Sequence, residues 1–490
     1  MDIRLYPRPV PAMTAHHTAG DRLQVWIGVF GVATTPSIQW FLNGTPVTPT
    51  IVVALHSVRS AELVPSSSPR AFTGVYEFTG LQPESSYTVK AQSGVQQASI
   101  EVRTLPNQLP TDSNTPFQVL LVSCYYQPED RSELVSAVIG QLKGTFRPDL
   151  TLLLGDQVYL DLPTLTDYKD DTTWLAEWFE GYYVRNWRGP GGLRTVLSSA
   201  PCISIPDDHE YWNNAPHYSV VVGNTKSAEG RQRWRTAAEM LYRGFQLPAP
   251  LQLGDPFILD IPPLSFFLAD SRSQRSESRS QSMTPQARQA LQAWCTRVSQ
   301  EGLFGVFATG QSLYDEPVGT LQGSVMDYSL SNYGDYSEII RMLMSIPDHG
   351  QPILCLTGDV HWGRVAKCVD VKTGRDALYE VISSPSALVS SVGFDQLKQA
   401  GEFFADLFGK SDPWPRHSNP DTPPDFLATQ AFDKRYRSHE LHGQPGDQVV
   451  LLSFTRAGRG VDVRVTYYPI HEDAQLRRPI AVGPLHLRPL

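Results

Sequence analysis

Two patterns of hydrophobic and polar positions divide this chain. Up to about residue 105, short apolar runs are separated by turn signals. Residues 22–31, 37–42, 74–78, 86–91 and 98–103 read as strands, and Asn43-Gly44 closes the second as a tight turn. Short strands at this spacing predict an all-β sandwich. From residue 117 the runs become continuously apolar, and each ends in a polar cluster. Residues 117–122 end at Ser123-Cys124, 150–154 at Gly155-Asp156, and 203–205 at Pro206-Asp207-Asp208-His209. Residues 264–269 end at Asp270-Ser271-Arg272, 304–308 at Thr309-Gly310-Gln311, and 353–357 at Gly358-Asp359-Val360-His361. Helix-like segments lie between several of them, at 132–142, 173–185 and 285–299. Buried strands alternating with helices predict an α/β domain with a large central sheet. Ligands of such sheets sit beyond the carboxyl ends of the strands, so the polar clusters are expected to share one rim.

The boundary between the patterns is rich in Pro, Asn, Ser and Thr. It divides the chain into an all-β domain over 1–106, a linker over 107–116 and an α/β domain over 117–490. Gly80 to Val89 resembles the tyrosine-corner segment of fibronectin type III and immunoglobulin-like domains, with Tyr87 as its tyrosine. No catalytic cluster falls in this first domain, so packing or spacing is its expected role. Near the other end, Leu397, Ala400, Phe404, Leu407 and Phe408 share one face of a helix over 396–408. Residues 417–444 are polar and read as loop, and 448–454 and 461–468 return to strand.

Length changes the picture little: 490 residues imply two or three domains. No apolar run reaches membrane-spanning length. The formal charge of −9 speaks against nucleic acid as the main partner. Five cysteines without a C-x-x-C pair suit a reducing compartment. Cys202, Cys295, Cys355 and Cys368 read as core residues or bland surface thiols. The start at Met1 shows no apolar signal core, so a cytoplasmic location is expected.

The rim clusters carry the candidate chemistry. Cys124 offers a thiolate, Asp156, Asp208 and Asp359 carboxylates, His361 an imidazole and Tyr159 a phenolate. Hard oxygen donors with one imidazole suit divalent or trivalent cations. Six donors exceed what one ion with open positions needs. Two ions sharing a carboxylate, about 3.5–4 Å apart, explain the number better. Arg272, Arg275 and Arg364 lie next to rim motifs and are candidates to hold phosphate oxygens. Asn213 and Asn214 are candidates to donate to phosphate. Asp207 reads as a cap, Asp270 as the residue that orients Arg272, and the acidic run Asp161, Asp167, Asp170 and Asp171 as a solvated loop.

Four ordered blocks carry a family resemblance: Gly155-Asp156-Gln157-Val158-Tyr159, Asp207-Asp208-His209-Glu210, Asp270-Ser271-Arg272-Ser273-Gln274-Arg275 and Gly358-Asp359-Val360-His361. Over about residues 117–470 the chain resembles the PhoD-like (alkaline phosphatase D) family of calcineurin-like metallophosphoesterases. The resemblance implies an αββα sandwich with mixed sheets behind a small all-β domain. It implies that Cys124 replaces the usual Asp-x-His pair, that Asp156 bridges two metals and that Tyr159 is a tyrosinate ligand. Asp208 takes the place of the usual Asn ligand, and Asp359 and His361 form the final ligand pair. His209 corresponds to the general acid. The implied metals are ferric iron at the Cys/Tyr position and calcium or another divalent ion beside it. The implied reaction is hydrolysis of phosphate mono- or diesters by a metal-activated water. Export is common in that family, and a C-terminal helix there suggests that 396–408 covers the pocket as a lid.

Two other readings remain. The same scaffold supports phospholipase-D-like or phosphotriesterase activity, decided by the pocket-wall loops at 160–174, 211–231, 312–336 and 384–440. A degenerate scaffold would instead be a partner-binding protein, although each expected ligand position holds a competent donor.

Overall fold

The computed structural model of the chain describes residues 1–12, 20–60, 70–112, 114–163, 166–313, 328–359, 361–387 and 435–489. The segment 396–408, expected as a lid helix, lies outside them.

The N-terminal strands are β1 (Asp2–Arg8), β2 (Arg22–Val32), β3 (Gln39–Leu42), β4 (Thr45–Val47), β5 (Thr50–Ser57), β6 (Arg70–Thr79), β7 (Ser86–Ser93) and β8 (Gln96–Arg103). They form two antiparallel sheets, ordered β1-β2-β6-β5 and β4-β3-β7-β8. Val25, Ile27 and Val29 of β2 enter the core between these sheets with Trp40, Val89 and Ala91. The alternate residues Trp26 and Phe30 point the other way, into a core shared with the helices that follow. Both faces of β2 are therefore buried, which is why it reads as an unbroken apolar run. Tyr87 Oη accepts the N–H of Gln82 at 2.8 Å and pins the turn before β7.

The segment 107–116 is not a free tether. Leu109 is buried in the core between the later sheets, and its N–H donates to Pro262 O at 2.8 Å.

The rest of the chain builds two further sheets. Strands β9 (Phe117–Val122), β10 (Leu150–Leu154), β11 (Cys202–Ile205), β19 (Gln448–Ala457), β20 (Gly460–Pro469) and β21 (Ile480–Leu487) are ordered β11-β10-β9-β19-β20-β21. Strands β12 (Phe257–Ile261), β13 (Leu264–Leu268), β14 (Phe304–Thr309), β15 (Ile353–Thr357), β16 (Gly363–Asp370), β17 (Arg375–Ile382) and β18 (Tyr436–Gln444) are ordered β12-β13-β14-β15-β17-β16-β18. Each sheet is mixed: β9, β10 and β11 are parallel, as are β13, β14, β15 and β17. Six helices lie outside the sheets: α1 (Leu134–Ile139), α2 (Thr172–Arg188), α3 (Gly192–Ser199), α4 (Ala228–Phe245), α5 (Pro285–Glu301) and α6 (Tyr336–Asp348) among the described residues.

The large central sheet read from the apolar pattern alone is two sheets face to face, the αββα arrangement that the family resemblance implies. Val119, Leu121, Leu152 and Leu154 meet Phe266, Val306, Ala308, Leu354 and Leu356 between them. The alternate residues Leu120, Val122 and Leu153 face α1 to α4, while Phe267, Phe307 and Cys355 face α5 and α6. A strand between a helix layer and a second sheet is as uniformly apolar as one between two helix layers, so the pattern along the chain could not separate them. The layering is αββα. Two loop expectations also change. Tyr436–Gln444 is a strand, polar because it is the outer strand of its sheet and half of it faces outward. Helix α4 begins inside the predicted 211–231 loop.

Candidate metal centre

The parallel strands deliver their polar ends to one place. Cys124 follows β9, Asp156 follows β10, Asp208 follows β11, and Asp359 and His361 follow β15. The two sheets are sewn together at this edge. Ser386 N–H donates to Ser123 O at 2.9 Å and Ala387 N–H to Cys124 O at 3.1 Å. At these candidate positions the backbone leaves the strand through the left-handed region, with φ of 52° at Cys124, 58° at Asp156, 59° at Asp359 and 55° at His361. Such conformations cost a non-glycine residue of order 1–3 kcal/mol each and persist where surrounding structure imposes them. The neighbouring glycines are required by space. A Cβ on Gly155 would stand 2.6 Å from that of Asp207, and one on Gly358 2.2 Å from Leu154 O.

Three groups of donors converge. Cys124, Asp156 and Asp359 form one, Asp156, Asp208 and His209 a second, and Asp156, Asp207, Asp208 and Asp359 a third, with ligand atoms within 4.8 Å of one another in each. Asp156 is common to all three. Its Oδ2 lies 3.5 Å from Cys124 Sγ. His361 falls outside these groups, but Ser384 ties it to them: its Oγ donates to Cys124 Sγ at 3.2 Å and accepts His361 N–H at 3.0 Å. The Tyr159 ring lies against the His209 ring, centroids 4.2 Å apart and planes tilted by 33°, and its buried hydroxyl has no hydrogen-bond partner among the described residues.

The electrostatics call for positive charge. Burial first, then Asp156 and Asp359, push the Cys124 thiol well above its ordinary pKa. Burial raises Asp156 strongly, with Asp208, Asp207 and Asp359 adding to it and His209 opposing. Burial first, then Cys124, Asp156, Asp359 and Asp208, raise the Tyr159 phenol. A cation reverses each of these shifts, because it stabilises the anion that burial penalises. Buried acid and thiol groups beside a phenol whose hydroxyl has no hydrogen-bond partner among the described residues thus fit a bound metal.

Other side chains hold this set in place. His209 Nδ1 is 2.8 Å from Asp161 Oδ1, and Asp161 Oδ2 accepts Asn213 N–H at 2.8 Å. Asp161 is therefore buried and engaged, a correction to its reading as part of a solvated loop. Burial alone would depress the His209 pKa, but Asp161, Asp208 and Asp156 outweigh it and the net shift is strongly upward. Asn214, itself at φ 70°, donates its N–H to Asp208 Oδ2 at 2.7 Å.

The three arginines are buried and bound to protein acceptors. Arg272 Nε donates to Asp207 Oδ1 at 2.7 Å, and its Nη1 to Ala215 O at 2.8 Å. Asp207 thus holds the guanidinium that Asp270 was expected to orient. Asp270 instead accepts the N–H groups of Arg272 and Ser273. Arg275 donates to Gln311 Oε1 at 2.7 Å, and Gln311 Nε2 reaches Asp359 Oδ2 at 3.3 Å. Arg364 pairs with Glu380 at 2.5 Å.

Ser384 and Glu210 were missed. Ser384 ends the apolar run of β17, so the strand-end pattern contained it. Glu210 belonged to a quoted motif, but the backbone N–H groups it serves cannot be read from letters.

Among solved structures, the chain is similar to PhoD, with 13% identity, 97% of this chain and 88% of that chain covered, and a TM-score of 0.61. The chain has a PhoD-like fold. GAP50, the anchor in the inner membrane complex of Plasmodium, aligns at 7% identity over 76% of this chain and 90% of that one, with a TM-score of 0.38. That value is too low to bear on the argument. No protein-family profile and no curated protein sequence matches the chain.

Proposed function

We propose that the chain is a metal-dependent hydrolase of phosphate esters. The observation that carries this reading is Asp156, whose carboxylate is shared by three groups of converging donors: with Cys124 and Asp359, with Asp208 and His209, and with Asp207, Asp208 and Asp359. Cys124, Tyr159, Asp156 and Asp359 would hold one ion, and Asp156, Asp208 and His361 its neighbour. Thiolate and phenolate favour ferric iron at the first position, and oxygen donors with one imidazole favour a hard divalent ion such as calcium at the second. Such a pair supplies an acidified water and polarisation of the phosphoryl oxygen.

The chain's own residues do the rest. Asp161 fixes the His209 ring and favours its charged form, as a proton donor to the leaving oxygen requires. With Nδ1 committed to Asp161, donation falls to Nε2. Asn214 and Gln311 keep Asp208 and Asp359 aimed at the centre. Arg272 sets Asp207, whose other oxygen, Oδ2, is buried without a hydrogen-bond partner among the described residues.

Metal analysis of gently purified protein, combined with chromogenic phosphate mono-, di- and triesters, tests the reading. Two metals per chain and turnover of at least one ester class are expected. Metal-free protein that takes up none, or an inert metal-loaded protein, would defeat it. The ester panel also decides between a phosphomonoesterase or diesterase and a phospholipase-D-like or phosphotriesterase activity. The proposed partner is a small-molecule phosphate ester, as the PhoD-like fold suggests; no helix among the described residues is long and apolar enough to cross a membrane.

A further inference from the structure

The N-terminal β module reaches the metal centre through one helix end. A helix leaves its last carbonyls unpaired and carries partial negative charge there. At the C-terminus of α4 the module supplies what is missing. Trp26 Nε1–H donates to Gly244 O at 2.8 Å. Arg8 donates to Leu247 O at 3.0 Å and also to Phe245 O. Arg8 is 8% exposed and has no carboxylate partner among the described residues. Burial lowers its pKa to about 10, so it remains a cation at neutral pH. A buried charge answered only by carbonyls at a helix C-terminus is a cap.

Between the two carbonyls taken by Arg8 stands Gln246. Its side chain is buried, and Nε2 donates to Glu210 Oε1 at 3.3 Å. Glu210 is also buried, and it gathers three backbone donors as well. Oε2 accepts Asp156 N–H at 2.9 Å and Asp207 N–H at 2.8 Å, and Oε1 accepts Gln157 N–H at 2.7 Å. One carboxylate thus ties the turn after β10 to the turn after β11. It helps impose the left-handed backbone at Asp156. The contacts run without a gap from Arg8 and Trp26 through the α4 terminus and Gln246 to Glu210 and the ligand loops.

We propose that the N-terminal module is a positioning element of the metal centre, acting through Arg8 and Trp26 on Gln246 and Glu210. The inference rests on the metal-centre reading above and adds a role for residues 1–106 beyond spacing. Contiguity alone does not establish coupling, so the test measures coupling.

The full-length chain is stripped with chelator and titrated with manganese(II) as the probe ion. Amide hydrogen exchange at residues 155–157 and 207 is followed in the metal-free protein. Trp26→Phe keeps the ring and removes one N–H. Arg8→Lys keeps the charge and loses the fork. Gln246→Leu cuts the path at its middle. Gln246→Leu is expected to raise the manganese Kd about tenfold, the usual cost of disturbing a ligand's support. Trp26→Phe and Arg8→Lys should raise it about threefold to tenfold and speed exchange at the same amides. Combining Arg8→Lys with Gln246→Leu should weaken binding no further than Gln246→Leu alone. A module that only packs would lower thermal stability and leave both readouts unchanged. Unchanged affinity and exchange in folded Trp26→Phe protein, or additive losses in the double variant, would overturn the inference. Wild-type protein that binds no manganese would overturn the metal-centre reading instead, and hydrogen exchange would still decide the coupling.

Discussion

Asp161 Oδ1 and His209 Nδ1 lie 2.8 Å apart, and both side chains are buried. This pair fixes the ring and its charge together. The His209 pKa is raised in the fold despite burial, so the pair stabilises the metal-free protein fully below the unfolded value of about 6.5. That contribution is lost as pH rises through the native pKa. Asp161→Asn should therefore cost about 3 kcal/mol at pH 6 and progressively less toward alkaline pH. Thermal denaturation of chelator-treated protein across this range checks it. A deficit that grows with pH would contradict the assignment. In turnover, the same substitution should move the alkaline limb of the pH–rate profile to lower pH.

Asp156 sets stability against function. Its carboxyl pKa is raised, so charging it costs the metal-free fold stability as pH climbs above the unfolded value of about 3.9. At neutral pH, Asp156→Asn should make metal-free protein more stable, because the amide brings no charge into the buried site. Hydrolysis should fall at least about 1,000-fold, because the shared ligand is gone. Paired denaturation and turnover measurements decide the matter, and retained turnover would rule out a two-metal centre.

Tyr159 is expected to report the identity of one metal. A ferric tyrosinate absorbs visible light, so purified protein should be coloured and Tyr159→Phe should bleach it. In the metal-free state the substitution removes a buried hydroxyl that has no partner among the described residues, so it should be neutral or stabilising by about 1 kcal/mol. An unchanged visible spectrum in the variant would remove Tyr159 from the ligand set.

Gln311 carries the Arg275 constraint to Asp359. Gln311→Leu leaves volume nearly unchanged and breaks both contacts. We expect metal affinity or turnover to drop about 10- to 100-fold, with substrate KM changed far less. Metal titration and steady-state kinetics separate the two. An effect confined to KM would mean that Gln311 meets substrate directly.

The strand-end clusters were legible because a parallel strand buried on both faces can place polar groups only where it emerges. Asp156, Asp208 and Asp359 were found that way. Asp161 was not, because it sits among other acids, and only the folded loop shows which one is buried against His209. Glu210 and Gln246 act on backbone N–H groups and on a helix end, and neither relationship has a signature in side-chain spacing. The second sheet came from the family resemblance and was hidden from the apolar pattern for a similar reason. A layer of β-strands and a layer of helices present the same apolar surface to the strand between them.

The proposed ligand set is divided between the two sheets: Cys124, Asp156 and Asp208 follow strands of the six-stranded one, Asp359 and His361 a strand of the seven-stranded one. Ions held by both halves would act as a clasp across a joint that closes only when each half is correctly formed. Metal uptake would then serve as a proofreading step for folding. A chain with one sheet misassembled would never acquire its catalyst, and a finished chain that loses its ions would loosen first at this joint.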